Sequence, residues 1–247
     1  VDALKFAIDE KFDYLSRRYL LEAIKAAEVI PHVREHLALG RKVVVYHDYK
    51  KGGGFNPFVQ RRLNEVGDDA DAAAARKAYN AALDAFNQQF ADLIGSDIAK
   101  MPNPIEAFQR AFPDVLLFNG NVPKQQRRAS VAKFQDDASG PQVILVQSAA
   151  GKEGISLHDT TGKYQRVLFN LGQPTQPTTA IQQEGRIYRT GQQSDAIIRY
   201  LNTGTNWEKW AFASTIAQRA SAAENLGAGE QARALKDAFI QGFEESN

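Results

Sequence analysis

Val143-Ile144-Leu145-Val146-Gln147-Ser148-Ala149-Ala150-Gly151-Lys152-Glu153-Gly154-Ile155-Ser156-Leu157 changes character partway along. It opens on four consecutive apolar residues with no polar alternation. Such a run suits a strand buried on both faces, as in a parallel sheet. Small residues follow. Glycine lets a backbone approach a ligand closely, and a serine hydroxyl can bond a phosphate oxygen. Open α/β sheets bind their ligands beyond the carboxyl ends of the strands.

Working outward, similar runs occur at Val43-Val44-Val45-Tyr46, Val115-Leu116-Leu117-Phe118, Arg166-Val167-Leu168-Phe169-Asn170 and Ile197-Ile198-Arg199-Tyr200-Leu201. Helical patterns between them make βα units. Repeated units of this kind predict an α/β fold, a parallel sheet with helices on both faces. His47 and Asn119 then fall at or just past the carboxyl ends of two strands.

The flanks read as helix. Leu4, Ile8, Phe12, Leu15 and Tyr19 recur at three to four within residues 3–39, where Pro31 should start a new helix or kink the old one and Gly40 should end it. Ile8-Asp9-Glu10 lacks a preceding apolar strand and reads as exposed helix surface. Residues from about 55 to 113 read as an α-helical insertion, with a stripe of Ala75, Tyr79, Leu83, Phe86, Phe90 and Leu93 and a second helix from about Pro104 to Phe112. It is expected to be an arm packed on the core, or else a partner or DNA contact with Arg61 and Arg62 at its base. Thr205-Asn206-Trp207-Glu208 is a capping box opening a helix to about Glu224, and a last helix covers Gln231 to about Phe243. The expected organisation is one domain over 1–247, with its core at about 20–50 and 114–212 and C-terminal helices at about 205–247.

Downstream lies Gln182-Gln183-Glu184-Gly185-Arg186-Ile187-Tyr188-Arg189-Thr190-Gly191-Gln192. Arginines three apart project from the same face of a helical turn. Arginine is always charged, planar and able to bond in a fork, which suits a phosphate gaining charge during transfer. The plainer reading is a solvated pair on a helix surface.

This segment resembles the last motif, Q-x-x-G-R-x-x-R-x-G-Q, of superfamily two helicases and translocases. Its Arg-Thr-Gly-Gln ending is closest to the Swi/Snf-like branch. Ala180-Ile181-Gln182-Gln183 with Gly185-Arg186, behind Gly154-Ile155-Ser156-Leu157, also resembles the strawberry-notch-like helicases. Upstream, Ser148 to Leu157 resembles the motif S/T-x-A-G-x-x-G-[LI]-[NS]-L. Asn119-Gly120-Asn121 with the helix from Pro123 to Asp137 resembles the pattern of strand, Gly, polar residue and Arg-bearing helix ending F-x-x-D. Three motifs stand in the family's order and spacing.

The resemblance implies the C-terminal RecA-like lobe of a two-lobe motor, an ATP-dependent helicase or translocase. ATP with Mg²⁺ would be held mainly by an N-terminal RecA-like lobe. Arg189 and Arg186 would close on the β,γ-phosphates, with Arg189 the arginine finger, and Gln182, Gly185, Gly154 and Glu153 would line the same cleft. Ser148, Gly151, His47, Asn119, Lys124, Arg127 and Arg128 would contact the nucleic-acid backbone, double-stranded DNA by analogy with the Swi/Snf branch. Two departures stand out: Asp48 replaces the Ser- or Gln-like residue expected after the first strand, and Tyr188 replaces the commoner His between the arginines. The isolated chain should hydrolyse ATP negligibly. The rival reading is a lobe that has lost catalysis and serves as a DNA- or protein-docking module; two spaced arginines disfavour it.

Composition bounds these readings. The chain has 247 residues, 43% hydrophobic, with net charge +1. That supports a real core and leaves nucleic-acid binding open, since a basic strip can be local. There is no cysteine, and the four histidines show no H-E-x-x-H spacing, so no metal site is expected. No G-x-x-x-x-G-K-[ST] occurs: Lys51-Gly52-Gly53-Gly54 reads as a hinge, and Gly151-Lys152 is followed by Glu rather than a hydroxyl. The missing phosphate loop argues against a P-loop kinase or synthetase. No apolar run reaches about 18 residues, so no membrane partner and an intracellular, cytoplasmic or nucleoid-associated location are expected. A start at Val1 is expected of a fragment or a processed chain.

Overall fold

The computed structural model describes residues 4, 6–12, 14–49, 70–94, 96, 97, 100–152, 154–172, 174 and 176–211. Five strands form one parallel sheet: β1 (Lys42–His47), β2 (Leu116–Phe118), β3 (Val143–Gln147), β4 (Arg166–Asn170) and β5 (Ile197–Tyr200), in the order β2-β3-β1-β4-β5. Registry runs Val44 opposite Ile144 and Leu168, with Phe118 beside Val146 and Leu168 beside Ile198. β1, β3 and β4 are buried throughout, whereas β2 and β5 at the edges are mostly half-buried. The unbroken apolar runs reflect burial on both faces.

Helices cover both faces. On one side α1 (Tyr14–Ala38) places Ala26, Val29 and Val33 over Val43, Val45, Val143, Leu145, Val167 and Phe169. On the other, Phe134 and Ile187 pack with Val44, Tyr46, Ile144, Val146 and Leu168. The expected RecA-like α/β lobe is therefore present.

Further helices are α2 (Ala70–Gln89), α3 (Ala91–Ile94), α4 (Pro104–Ala111), α5 (Lys124–Gln135), α6 (Pro177–Glu184) and α7 (Asn206–Trp210). Of the two alternatives at Pro31, no new helix starts there: α1 runs through it, and Pro31 and Ala27, whose carbonyl loses its helical donor, both face solvent, where water can replace the bond. Within the expected insertion, α4 packs on the core: Ile105, Ala107 and fully buried Phe108 join the sheet cluster with α1. Its start is fixed by Asn103, whose side chain accepts from Glu106 N at 3.0 Å.

Of the predicted stripe, Phe86, Phe90 and Leu93 pack in a third cluster with Ile8, Phe12, Leu20 and Leu21, and Leu83 is buried, while Ala75 and Tyr79 are exposed. Asp9 lies in a π-helical turn (Ala7–Lys11) and is half-buried, its Oδ1 accepting from Trp207 N at 3.2 Å; Glu10 is exposed. Thr205 caps α7 as expected, accepting from Glu208 N at 3.3 Å. Residues 51–69, with Arg61 and Arg62, and the helices expected beyond residue 211 lie outside the described residues. No described helix is long and apolar enough to cross a membrane.

Candidate functional site

The arginine segment begins where α6 stops. Pro177 starts the helix, and Gly185 N closes it on Ile181 O at 2.9 Å. Ile187 N and Tyr188 N then return to Glu184 O at 2.9 and 2.8 Å. Both arginines thus sit in turns past the helix, not on one helical turn. Buried Ile187 lies between them and pins the segment to the sheet. Gly191, at φ 92°, turns the chain in the left-handed region that favours glycine, and Gln193 N reaches Asp159 O at 2.9 Å.

The two guanidiniums nonetheless converge on one stretch. Arg186 Nη1 donates to Ile155 O at 3.3 Å, and Arg189 Nη1 donates to Ser156 Oγ at 2.7 Å. Leu157 N donates to Arg186 O at 2.8 Å. That stretch is held from behind: Gln135 Nε2 donates to Ser156 O at 2.9 Å and His158 O at 3.2 Å, and buried Arg166 donates to Leu157 O and Gln135 Oε1, both at 2.9 Å. Burial pushes the Asp159 carboxyl up, but hydrogen bonds from Ser194, Thr161 and Gly162 hold it below the usual range. Asp159 thereby ties the turn before β4 to the end of the arginine segment.

One open cleft lies along the arginine segment and a second along the Gly154–Ser156 stretch. One, about 730 Å³, is lined by Gln182, Gly185, Arg186, Tyr188, Arg189 and Gln192 among others. Arg189 and Gln182 are exposed there, whereas Arg186 is half-buried with its Nε unpartnered. The other, about 580 Å³, brings Lys124 and Arg128 of α5 against Gly154, Ile155 and Ser156. Gly154, expected in the nucleotide cleft, lines this basic one instead. Glu153 lies outside the described residues. Among the described residues no group of three or more acidic or histidine side chains could hold a metal ion.

The remaining expected contacts divide. Ser148 is half-buried beyond β3, its Oγ donating to His47 O and accepting from Gln183 Nε2, both at 3.1 Å. Gly151 is buried because a Cβ there would lie 3.0 Å from Tyr46 Cε1 and 3.1 Å from Val146 Cγ1; packing, not ligand approach, accounts for that glycine. His47 departs from the expected backbone contact. Its ring is fully buried, Nδ1 accepts from Tyr49 N at 3.1 Å, and burial lowers its pKa to about 4. Asn119 is buried too, its Oδ1 accepting from Asn121 N and Val122 N. Arg127 turns inward, bonding Asn119 O and Val122 O at 3.3 Å and lying 5.6 Å over the Phe118 ring. Lys124 and Arg128 remain exposed.

Sequence reasoning missed Asn170, Gln183, Glu184 and Tyr200. Asn170 Nδ2 donates to Gln183 Oε1 at 2.6 Å, and Tyr200 Oη donates to Glu184 Oε1 at 2.6 Å. The signal was present: Ala180, Gln183, Glu184 and Ile187 recur at three to four and form the buried side of this segment.

The family model for the C-terminal domain on Strawberry notch homologues matches residues 119–246, just over half of the chain. A protein of Acanthamoeba polyphaga mimivirus, named "Putative ATP-dependent RNA helicase L364", is 37% identical over 82 residues, 33% of this chain and 15% of that protein. DNA repair and recombination protein RAD54B of Gallus gallus is 35% identical over 92 residues, 37% of this chain and 10% of that protein. The chain thus matches only a small part of these relatives' length. The solved C-terminal part of the Fun30 ATPase domain superposes with TM-score 0.40 at 15% identity, over 90% of this chain and 52% of that one.

Proposed function

Because the chain belongs to the family of helicase C-terminal domains found on Strawberry notch homologues, we propose that it is the second motor lobe of an ATP-dependent DNA translocase or helicase. ATP, in this reading, binds between this lobe and an N-terminal RecA-like lobe. Arg189 is the arginine finger, and Arg186 supports the β,γ-phosphates from the cleft wall. The observation that supports this is that Arg186 and Arg189 both line one open cleft, while their guanidiniums both bond the Ile155–Ser156 stretch. An arginine spanning a cleft onto a transferring phosphoryl group is worth roughly 10³–10⁵ in rate.

In this reading the Mg²⁺ that accompanies ATP is held mainly by the facing lobe. When bound it neutralises charge on the phosphates. Gln182 and Gly185 line the nucleotide cleft beside the arginines. Lys124 and Arg128, with Gly154 and Ser156, supply the backbone-tracking cleft. Such contacts position a strand and read little sequence. Ser156 lines the basic cleft and accepts from Arg189, so closure of Arg189 onto phosphate would free its hydroxyl there. DNA is proposed on the likeness to RAD54B, a DNA repair and recombination protein by name, whereas L364, about as similar, is named an RNA helicase.

The test is Arg189→Ala in the longer protein that carries both lobes. DNA-stimulated ATP hydrolysis should be abolished while nucleotide binding is kept. Turnover above about a tenth of the parent would remove Arg189 from the finger role.

A further inference from the structure

The side chain of Gln183 joins three structural elements. Its Oε1 accepts from Asn170 Nδ2, at the last residue of β4, at 2.6 Å. Its Nε2 donates to Ser148 Oγ, just past β3, at 3.1 Å. Ser148 continues the chain, its N and Oγ donating to the carbonyl of His47 at the end of β1, at 2.8 and 3.1 Å. Gln183, Asn170 and His47 are 5%, 2% and 0% exposed, so water is poorly placed to substitute for any of these bonds. Gln183 itself lies one turn before Arg186, whose N donates to Gln183 O at 3.1 Å.

We infer that Gln183 is a positioning residue that couples the arginine segment to the Ser148–Leu157 loop, and so couples the nucleotide cleft to the basic cleft. This rests on the motor reading of the two clefts. Asn170 and His47 are fixed by the sheet, whereas Gln183 travels with the arginines. A displacement of α6 on nucleotide closure must therefore strain the buried bond to Asn170, and must either break the bond to Ser148 or draw Ser148 off His47 O. The loop that begins at Ser148 ends on Leu157, whose N is held by Arg186 O at 2.8 Å. It is thus tied to the arginine segment at both ends.

The test uses the longer protein carrying both lobes, with Gln183→Met (similar length, no polar end), Ser148→Ala and the double variant. Two readouts are taken: amide exchange, and ATP hydrolysis with and without duplex DNA. Losing a buried hydrogen bond should speed exchange across 148–157 about tenfold in Q183M, and across 180–187 in S148A. DNA-stimulated kcat should fall about tenfold in Q183M, with KM for ATP held within about twofold. The double variant should lose no more than the worse single one. Unchanged exchange at 148–157 in Q183M, or additive losses in the double variant, overturns the coupling. Should Q183M unfold, exchange across 180–187 in S148A decides alone. A parent that DNA does not stimulate sinks the motor reading, and the exchange data still decide whether Gln183 holds the loop.

Discussion

Arg189 Nη1 lies 2.7 Å from Ser156 Oγ, so the exposed arginine is held by the neighbouring loop. One hydroxyl acceptor leaves the rest of the guanidinium fork open. Arg189→Lys keeps the charge and loses the fork. In the two-lobe protein we predict at least about a tenfold drop in DNA-stimulated turnover for R189K, because lysine acts as a point charge. Turnover equal to the parent would show that charge alone suffices.

The Glu184 carboxyl predicts a pH dependence of stability. Burial pushes it up to about 7, with the Tyr200 hydroxyl bond holding it back. Between about 4.5 and 7 the folded state keeps a proton that the unfolded state has released, so this group's contribution falls as pH rises across that window and is flat above it. Glu184→Gln mimics the protonated form and keeps an acceptor for Tyr200. The variant should gain on the parent by roughly 3 kcal/mol between pH 5 and pH 8, read by denaturant unfolding. A gap that stays constant with pH would place the carboxyl at its ordinary value.

Gly172 predicts a steric lesion. A Cβ there would overlap Asp48 Oδ2 and lie 2.7 Å from Glu22 Oε1. Glu22 is buried, accepts from Asp48 N at 2.9 Å, and faces Arg18, which also pairs with Asp48. Gly172→Ala forces this charged cluster apart and should cost about 3 kcal/mol in urea unfolding. A loss below about 0.5 kcal/mol would mean that the carboxylates can step aside.

How much of this was legible follows from which faces are buried. β1, β3 and β4 are buried on both faces, so they announce themselves as unbroken apolar runs. At Pro31 the sequence left a new helix and a kink open, and only the tertiary structure shows one helix with Ala27 and Pro31 facing water. His47 was misread because a polar residue at a strand end looks solvent-facing until the sheet is known to bury it. The arginine pair was set on a helix but lies in turns; buried Ile187 between the arginines and Gly185 before them are the residues that make a turn there. The network through Asn170, Gln183 and Ser148 joins residues 13 and 35 apart in sequence, beyond the reach of local periodicity.

Phe108 predicts where the core ends. Within what reads as an insertion, it is fully buried against α1 and the sheet. Phe108→Ala should cost about 3–5 kcal/mol, and a deletion of residues 56–112 should abolish cooperative unfolding. A deletion variant with an unchanged unfolding midpoint would show α4 to be dispensable for the core.

The central claim is that these arginines act across a cleft on ATP held by another lobe. The most direct measurement is ATP hydrolysis by residues 1–247 alone, beside the same residues joined to the native upstream segment, each with and without duplex DNA. The account predicts hydrolysis only in the joined form, stimulated by DNA. Hydrolysis by the short chain would contradict it by revealing a complete ATP site within these residues. Silence in both would contradict the motor and favour a docking module derived from a helicase lobe.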